Sequence, residues 1–480
     1  MYDVAIIGAG ITGTSIAREL SKYQLRILLL DKNNDVAGEA TMANSGIIHN
    51  GHTARQGKLK GKLTLQGSRM FEDLCRELEV PFKKTDMLIV GFDEEDEKAI
   101  YELYDRAAAN CIDGIRIIGR EEALRIEPVL DEHVRCAMLN PGCGLIDPWE
   151  LCIALAENAV CNGVELRLNA EVNDLTQTNG FFEIKTSREN YQADIVINCA
   201  GMYADKINGM TGSAPYTIEP KRGQYVVLDR SPDYKINHII SHCKTDKEKG
   251  VFLIPTISGN LMIGPDMEGV DDREGKETTA SRMDHLKQSA LKLSSSIPMH
   301  RTIRSFSGLK AKCSIGDFFI EESKEVEGFI NVAGINNPGL TSSPAIASHV
   351  AGIVGSIFTR TGNRLSTNHD FTATRSKIIT FKEVPDADKT DWIRRNPAYG
   401  RIVCRCEQVS EGEINDAIHR NPGATSVKGV KKRTRASMGR CQGSYCGLRI
   451  VGLLASELNL SMDQVLYENV GSNLLPDSMP

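Results

Sequence analysis

Apolar positions follow two rhythms along this chain. Tyr2-Asp3-Val4-Ala5-Ile6-Ile7 is a short β-rich run, and a glycine turn follows it. Ser15 to Lys22 then has helical spacing, and Leu25 to Leu30 reads as a buried strand. The pattern predicts strand, glycine turn, helix, strand. Residues 67–78 and 97–109 show helical periodicity. Ala193 to Asn198 predicts another buried strand, ending in Cys199-Ala200-Gly201. Segments 222–228, 251–255 and 260–264 alternate or run apolar between turn signals, as sheet strands do. Residues 329–333 predict a last short strand, followed by Gly334 and a helix from Ser343 to Phe358. From 366 to 399 the periodicity fades, polar residues dominate and Pro385 and Pro397 intervene, which predicts a linker. A cysteine-bearing unit then runs to about residue 470, with a polar tail at 471–480.

Length and composition narrow the classes. A chain of 480 residues has material for several domains and a large core. With 41% hydrophobic and 25% charged residues it is ordinary for a globular protein. The net charge of −6 argues against a broad nucleic-acid surface. No continuous apolar run reaches the roughly 18 residues of a membrane span, so no transmembrane segment is expected. Peripheral membrane association stays open. The first residues lack a basic segment followed by a long apolar one, so no signal peptide is expected either. Thirteen cysteines, an odd number and scattered, do not resemble a secreted disulfide framework. Cys75, Cys111, Cys136, Cys152, Cys161, Cys199, Cys243 and Cys313 are expected as small core hydrophobes. The set suits a reducing cytoplasm.

Gly8-Ala9-Gly10-Ile11-Thr12-Gly13 is a G-x-G-x-x-G fingerprint placed between a strand and a helix, and Asp31 ends the next strand about 20 residues on, before Lys32. Gly8 permits the turn, Gly10 lets backbone approach a pyrophosphate, and Gly13 allows close helix–strand packing. The helix N-terminus presents Ile11 and Thr12 with free N–H groups toward phosphates. Asp31 can accept from ribose hydroxyls. The fingerprint alone does not distinguish FAD from NAD.

Further motifs follow in order. They are Ala43-Asn44-Ser45-Gly46-Ile47-Ile48-His49-Asn50-Gly51, then Gly57-Lys58-Leu59-Lys60, then Cys199-Ala200-Gly201 with Ala204-Asp205. Pro220-Lys221-Arg222-Gly223-Gln224-Tyr225 comes next. Gly334-Ile335-Asn336-Asn337-Pro338-Gly339-Leu340-Thr341-Ser342-Ser343-Pro344 is the last. As an ordered set over residues 1 to about 360, they resemble the D-amino-acid-oxidase-like superfamily. The resemblance is specifically to its glycerol-3-phosphate dehydrogenase and L-2-hydroxyglutarate dehydrogenase branches.

The resemblance implies an α/β fold: a Rossmann-like FAD-binding domain with an inserted, mainly antiparallel β substrate domain. The FAD-binding segments would be 1–75, 146–215 and 326–365, and the substrate segments 76–145 and 216–325. It implies FAD lying extended with its isoalloxazine between the domains. Asn44, Ser45, Gly46, Ile48, Val172, Ala200, Gly201, Gly334, Asn337, Pro338, Gly339, Leu340 and Thr341 would join the fingerprint residues around it. The loop Gly334–Thr341 would offer N–H groups at a helix N-terminus, suited to charge on a reduced flavin.

Oxidising a hydroxylated carbon requires a base, and an anionic substrate requires a cation. His49 and His52 are the candidate bases; His49 could instead be a covalent attachment point or a structural loop residue. Arg55, Arg222 and Lys310 are the candidate anion binders. Lys310 stands in Ser307-Gly308-Leu309-Lys310 where relatives usually have arginine, so the bidentate fork is lost and phosphate and carboxylate both stay open.

Cys404-Arg405-Cys406 and Cys441-Gln442-Gly443-Ser444-Tyr445-Cys446 give C-x-C and C-x₄-C, two close thiol pairs suited to a soft metal centre. The unit from Val403 to about Leu453, within 400–470, resembles a bacterioferritin-associated-ferredoxin-like domain, which implies a small α+β fold holding a 2Fe–2S cluster. Structural zinc is the alternative, though the spacing differs from common zinc sites. Lys431, Lys432, Arg433, Arg435 and Arg440 would offset cluster charge, and Gly443 and Gly447 would free N–H groups for sulfur.

A two-electron flavin joined to a one-electron cluster predicts a dehydrogenase whose electrons leave singly. The acceptor would be a protein, either a flavoprotein or a quinone-linked subunit. Glycerol 3-phosphate is the expected substrate. L-2-hydroxyglutarate or another 2-hydroxy acid is the alternative, as are an amine or imino acid and a non-catalytic electron-transfer or redox-sensing role.

Overall fold

The computed structural model describes residues 1–243 and 250–476. The strand Tyr2–Ile7 sits at the centre of the first sheet, parallel to Ile27–Leu30 on one side and Asn190–Asn198 on the other. Phe329–Ala333 and Glu165–Arg167 extend the parallel set, and Phe319–Glu322 closes one edge antiparallel. A hairpin, Val172–Thr178 with Phe181–Thr186, joins the sheet beside Asn190–Asn198. The central strands are buried on both faces, which explains their unbroken apolar runs.

Helices Ile11–Leu20, Leu59–Glu77, Pro148–Cys161 and Gly339–Arg360 pack together beside this sheet and share its largest apolar core. Gly67 marks a close helix contact: a Cβ there would stand 2.2 Å from the Thr341 carbonyl oxygen. Gly339–Arg360, 22 residues, is long and apolar enough to cross a membrane by length and composition, although it holds no continuous apolar run of that length. Pro344 and scattered polar residues hide it as a continuous run. Here it is a mostly buried core helix.

The second sheet is built mainly from antiparallel strands. Ile218–Leu228 pairs with Thr302–Cys313 along almost its whole length, and Lys83–Gly91 pairs with Cys136–Leu145. A parallel pairing of Ile239–His242 with Lys83–Gly91 fuses the two halves. Ile47–Ile48 adds to Gly144–Leu145 at its edge, so the segment after the fingerprint reaches directly into this sheet.

Residues 366–399, expected as a linker, are instead an ordered strap. Thr367 bridges Tyr23, Asn158 Nδ2 donates to the Thr372 and Thr374 carbonyls at 3.0 Å, and Arg18 donates to the Ala373 carbonyl at 3.0 Å. A helix, Asp386–Arg395, follows. The strap is held by polar side chains on backbone rather than by an apolar stripe, so periodicity does not reveal it. Cys111 and Cys161 also depart from expectation: both are exposed rather than core.

The C-terminal unit has its own apolar core beneath a two-stranded ribbon, Ile402–Cys404 with Val409–Ser410, and helices Glu411–His419, Val427–Thr434 and Gly447–Leu458. It docks through buried charge. Asp35 accepts from Arg433 at 2.7 and 2.9 Å and faces Lys432 Nζ at 2.9 Å, while Lys432 also donates to the Val36 carbonyl at 2.7 Å. Glu157 takes Arg375 at 2.5 Å and Arg420 at 2.8 Å. The two cations hold the Asp35 carboxyl well below the usual carboxylate range, against the opposing effect of burial. Its stabilising effect is therefore present above the unfolded carboxylate range and is lost only in strong acid.

Replacing Asp35 with Asn strands two buried cations and is expected to cost about 3–5 kcal/mol. Urea unfolding followed by cluster absorbance and by flavin fluorescence checks this, and the cluster signal should shift first. Coincident, unshifted transitions would contradict the docking role.

Candidate flavin site and iron–sulfur centre

The fingerprint turn is shaped by close backbone approach. Gly8 has φ +108°, and a Cβ there would stand 2.4 Å from the Cys199 carbonyl oxygen. A Cβ on Gly13 would stand 1.9 Å from the Gly8 carbonyl oxygen, so helix and strand meet where only glycine fits. Asp31 accepts from the Ala9 amide at 2.7 Å and the Asn33 amide at 2.8 Å. Burial raises its pKa. Thr41, which sequence patterning did not single out, accepts from the Ile11 amide at 2.9 Å. Its signal is tertiary: it lies 30 residues from Ile11.

From this turn a cavity of about 770 Å³ runs between the two sheets, a size suited to a large ligand. Of the residues expected around a dinucleotide, Gly8, Gly10, Ile11, Thr12, Asp31, Lys32, Asn44, Ser45, Val172, Ala200, Gly201, Asn337, Pro338, Gly339 and Leu340 line it. Gly13, Gly46, Ile48, Gly334 and Thr341 do not, and each sits just behind the wall. Gly46 (φ +65°) packs where a Cβ would meet the Ile146 carbonyl oxygen at 2.4 Å. Thr341 Oγ1 accepts from the His49 amide at 3.0 Å, tying the last helix to the loop carrying the histidines. Lys60 Nζ donates to Asn336 Oδ1 at 2.6 Å, and Asp317 accepts from the Leu59 and Lys60 amides at 2.9 and 3.0 Å. These groups order the Gly334–Thr341 loop and were not expected in that role.

The histidines are brought together, with ring centroids 5.8 Å apart. Both are buried and line the cavity. Burial pushes His49 down to about 4 and His52 down to about 3, the latter also opposed by His49. Both rings are therefore neutral at pH 7. His52 Nδ1 is held between Asn50 Oδ1 at 3.0 Å and Asn140 Nδ2 at 3.1 Å. His49 Nδ1 is buried without a protein partner, as expected of a group that completes its bonding with a ligand.

The cations divide. Lys310 lines the cavity. Arg222 does not, which corrects its assignment: its guanidinium is spent on Glu268 at 2.8 Å, on Glu277, and on the Gly275 carbonyl at 3.3 Å. Arg55 is also corrected, since it is exposed on the loop before Leu59–Glu77 and outside the cavity wall. Arg273 and Lys276 were not expected. They line the cavity, but Asp205 holds Arg273 at 2.6 Å and Glu39 holds Lys276 at 2.6 Å. The backbone pinch at Gly8 and the unpartnered His49 nitrogen both fit a bound dinucleotide whose reactive ring lies near His49.

In the C-terminal unit the Cys406 and Cys441 sulfurs are 3.5 Å apart, and the Cys404 and Cys446 thiols hydrogen-bond to each other. Among the described residues no three metal-binding side chains converge on one point. Two separated pairs suit a binuclear cluster better than one tetrahedral zinc. Backbone amides of Glu407 and Ser437 point at Cys404 sulfur, and those of Gly443 and Tyr445 at Cys441 sulfur. Gly447 is corrected, because its amide donates to the Gly443 carbonyl at 2.7 Å. The basic run divides. Lys432 and Arg433 turn to Asp35 and Arg435 lies 3.4 Å from both Asp147 and Glu407, which corrects these three, whereas Lys431 is buried within electrostatic reach of the Cys446 thiol.

Comparison with known proteins agrees with this geometry. The family model described as FAD dependent oxidoreductase matches residues 3–353, and that of the BFD-like 2Fe-2S binding domain matches residues 402–456. The chain is 42% identical to a glycerol 3-phosphate dehydrogenase of Caloramator mitchellensis over 475 residues, 99% of this chain and 98% of the relative. It is 33% identical to a glycerol 3-phosphate oxidase of Mycoplasma genitalium, over 72% of this chain and 92% of the relative. The structure of dithionite-reduced L-alpha-glycerophosphate oxidase from Mycoplasma pneumoniae with FAD bound superposes with a TM-score of 0.74 at 28% identity, covering 78% of this chain and 98% of that one. FAD and a 2Fe–2S cluster are the cofactors. The chain belongs to the FAD-dependent oxidoreductase family and is an enzyme in which that fold is followed by a ferredoxin-like iron–sulfur domain.

Proposed function

We propose that the protein oxidises glycerol 3-phosphate to dihydroxyacetone phosphate as a dehydrogenase, working in a reducing cytoplasm. The observation carrying the reading is that its similarity to a named dehydrogenase runs through the cluster domain, whereas that to the named oxidase covers only 72% of the chain. Cysteines that form no disulfide among the described residues support the compartment. The acceptor is a protein that takes electrons one at a time.

Bound FAD supplies a hydride acceptor and the 2Fe–2S cluster a one-electron carrier; the protein supplies the rest. His49 is the favoured base. Its ring is neutral, faces the cavity, and has no protein group competing at Nδ1, so it can take the hydroxyl proton. His52, pinned by Asn50 and Asn140, keeps the adjacent wall rigid and uncharged. Lys310 gives the cavity a positive point charge for the phosphate, which a trigonally symmetric anion accepts without a fork.

Anaerobic turnover with a dye acceptor should be sustained by glycerol 3-phosphate and not by L-2-hydroxyglutarate. The reverse preference, or stoichiometric peroxide as sole product in air, would refute the reading. His49→Asn should lower kcat by roughly 10²–10⁴-fold with the flavin spectrum intact. Because the neutral imidazole is the active form, kcat should hold as pH falls from 8 toward 5 and drop as pH passes about 4. A drop centred near 6.5 would assign the proton elsewhere. Lys310→Met should raise KM by roughly tenfold or more while changing kcat less, as initial rates would show.

A further inference from the structure

The two thiol pairs stand at unequal depths. Cys404 and Cys446 are buried at 1% exposure each, on the side of the unit's core, whereas Cys406 is exposed and Cys441 is half-buried. The cluster site therefore has an inner and an outer end. The residues flanking the outer end are unusual for a chain of net charge −6. Arg405 lies between Cys404 and Cys406 in the chain, Arg440 precedes Cys441, and Arg449 stands in the first turn of the following helix; all are exposed. Among the described residues, neither Arg405 nor Arg440 is in an ion pair, and Arg449 donates to the Ile402 carbonyl at 3.2 Å.

The nearby acids are committed elsewhere. Glu411 is bound by Arg401, and Glu407 is buried and held by Arg230 at 2.8 Å, turned toward the flavin unit. Two large apolar side chains stand out on the same segment, Tyr445 at 82% exposure and Leu448 at 63%, with Ile402 at 39%. Helix Gly447–Leu458 turns its apolar residues Ile450, Val451 and Leu454 into the domain core, so Leu448 is not part of that stripe. An aromatic and a leucine exposed amid three arginines, of which Arg405 and Arg440 are in no ion pair among the described residues, form the usual composition of a small, transient interface: apolar centre, charged rim.

We propose that this face, formed by Arg405, Arg440, Arg449, Tyr445 and Leu448 around the Cys406–Cys441 end, docks an acidic one-electron redox protein. The proposal rests on the dehydrogenase reading and names the surface through which that protein is met. The acidic character follows from charge complementarity, because the rim is cationic while the molecule as a whole carries a net charge of −6. Electron donation from the outer cluster end oxidises the cluster by one electron and reduces the partner by one, so two docking events discharge each substrate oxidised.

The test uses the holoprotein with flavodoxin as an acidic probe and cytochrome c as a cationic one. Binding is measured by titration calorimetry, and reduction is followed anaerobically. Flavodoxin should bind more tightly than cytochrome c, and its affinity should fall steeply as salt rises from about 20 to about 200 mM. The double variant Arg405→Glu with Arg440→Glu should weaken flavodoxin binding roughly tenfold or more. The Arg405→Lys, Arg440→Lys pair should largely restore it, and Leu448→Ser should weaken it without altering its salt dependence. Cluster absorbance checks that each variant is loaded.

Unchanged flavodoxin affinity in the charge-reversed variant would overturn the proposal. So would capture of the wild-type protein on phosphatidylglycerol vesicles through the same arginines with no flavodoxin binding, which would make the face a lipid contact. Flavin bleaching by glycerol 3-phosphate is recorded in the same samples. If bleaching fails the substrate assignment fails, while the binding titrations still decide the surface.

Discussion

Asp35 is the group on which the two halves of this enzyme depend. It is a carboxylate buried between a guanidinium and an ammonium from the other unit, 2.7–2.9 Å from each. Such a network is poor at adding stability but strict about geometry, because any displacement leaves a charge buried and unpaired. Its position in the chain matters as much as its strength. Asp31 and Asp35 belong to one loop after the second strand; the first turns to the nucleotide turn through Ala9, the second to the cluster unit through Arg433. The Ala37 amide donates to the Ala9 carbonyl at 3.2 Å, so the loop is braced against the fingerprint itself. A single short segment thus sets both the nucleotide site and the seat of the iron–sulfur domain.

The same economy governs the reacting end. The segment Ile47–His52 begins as an edge strand of the second sheet, is tied by Thr341 to the last helix of the first, and delivers His49 and His52 into the space between the sheets. Burial keeps both rings neutral. The neutral pair adds no charge of its own, so in the proposed reading proton acceptance falls to His49 and anion binding to Lys310, different side chains of one cavity.

Much of this was legible from local pattern. The fingerprint, Asp31, the strand runs and the two cysteine pairs announce themselves because each needs particular residues at fixed spacing. What was not legible is whatever depends on partners distant in sequence. Arg222 reads as an available cation until Glu268 and Glu277 are seen beside it. Lys432 and Arg433 read as cluster counter-charges until Asp35, some 398 positions away, is placed against them. The strap at 366–399 carries no apolar period because Asn158, Arg18 and Glu157 hold it through polar contacts. Thr41 lies outside every motif, and Lys60, though within the Gly57–Lys60 motif, has no role that its spacing discloses; only tertiary structure assigns them work.

The central claim is that substrate electrons pass from the flavin to the cluster within one polypeptide. Rapid mixing with one equivalent of glycerol 3-phosphate under nitrogen, followed by freeze-quenching at successive times, tests it most directly. The account predicts loss of flavin absorbance first, and then growth of the paramagnetic signal of a reduced 2Fe–2S centre at a rate independent of protein concentration. A cluster that stays oxidised while the flavin is bleached, or that reduces only in proportion to protein concentration, would contradict it.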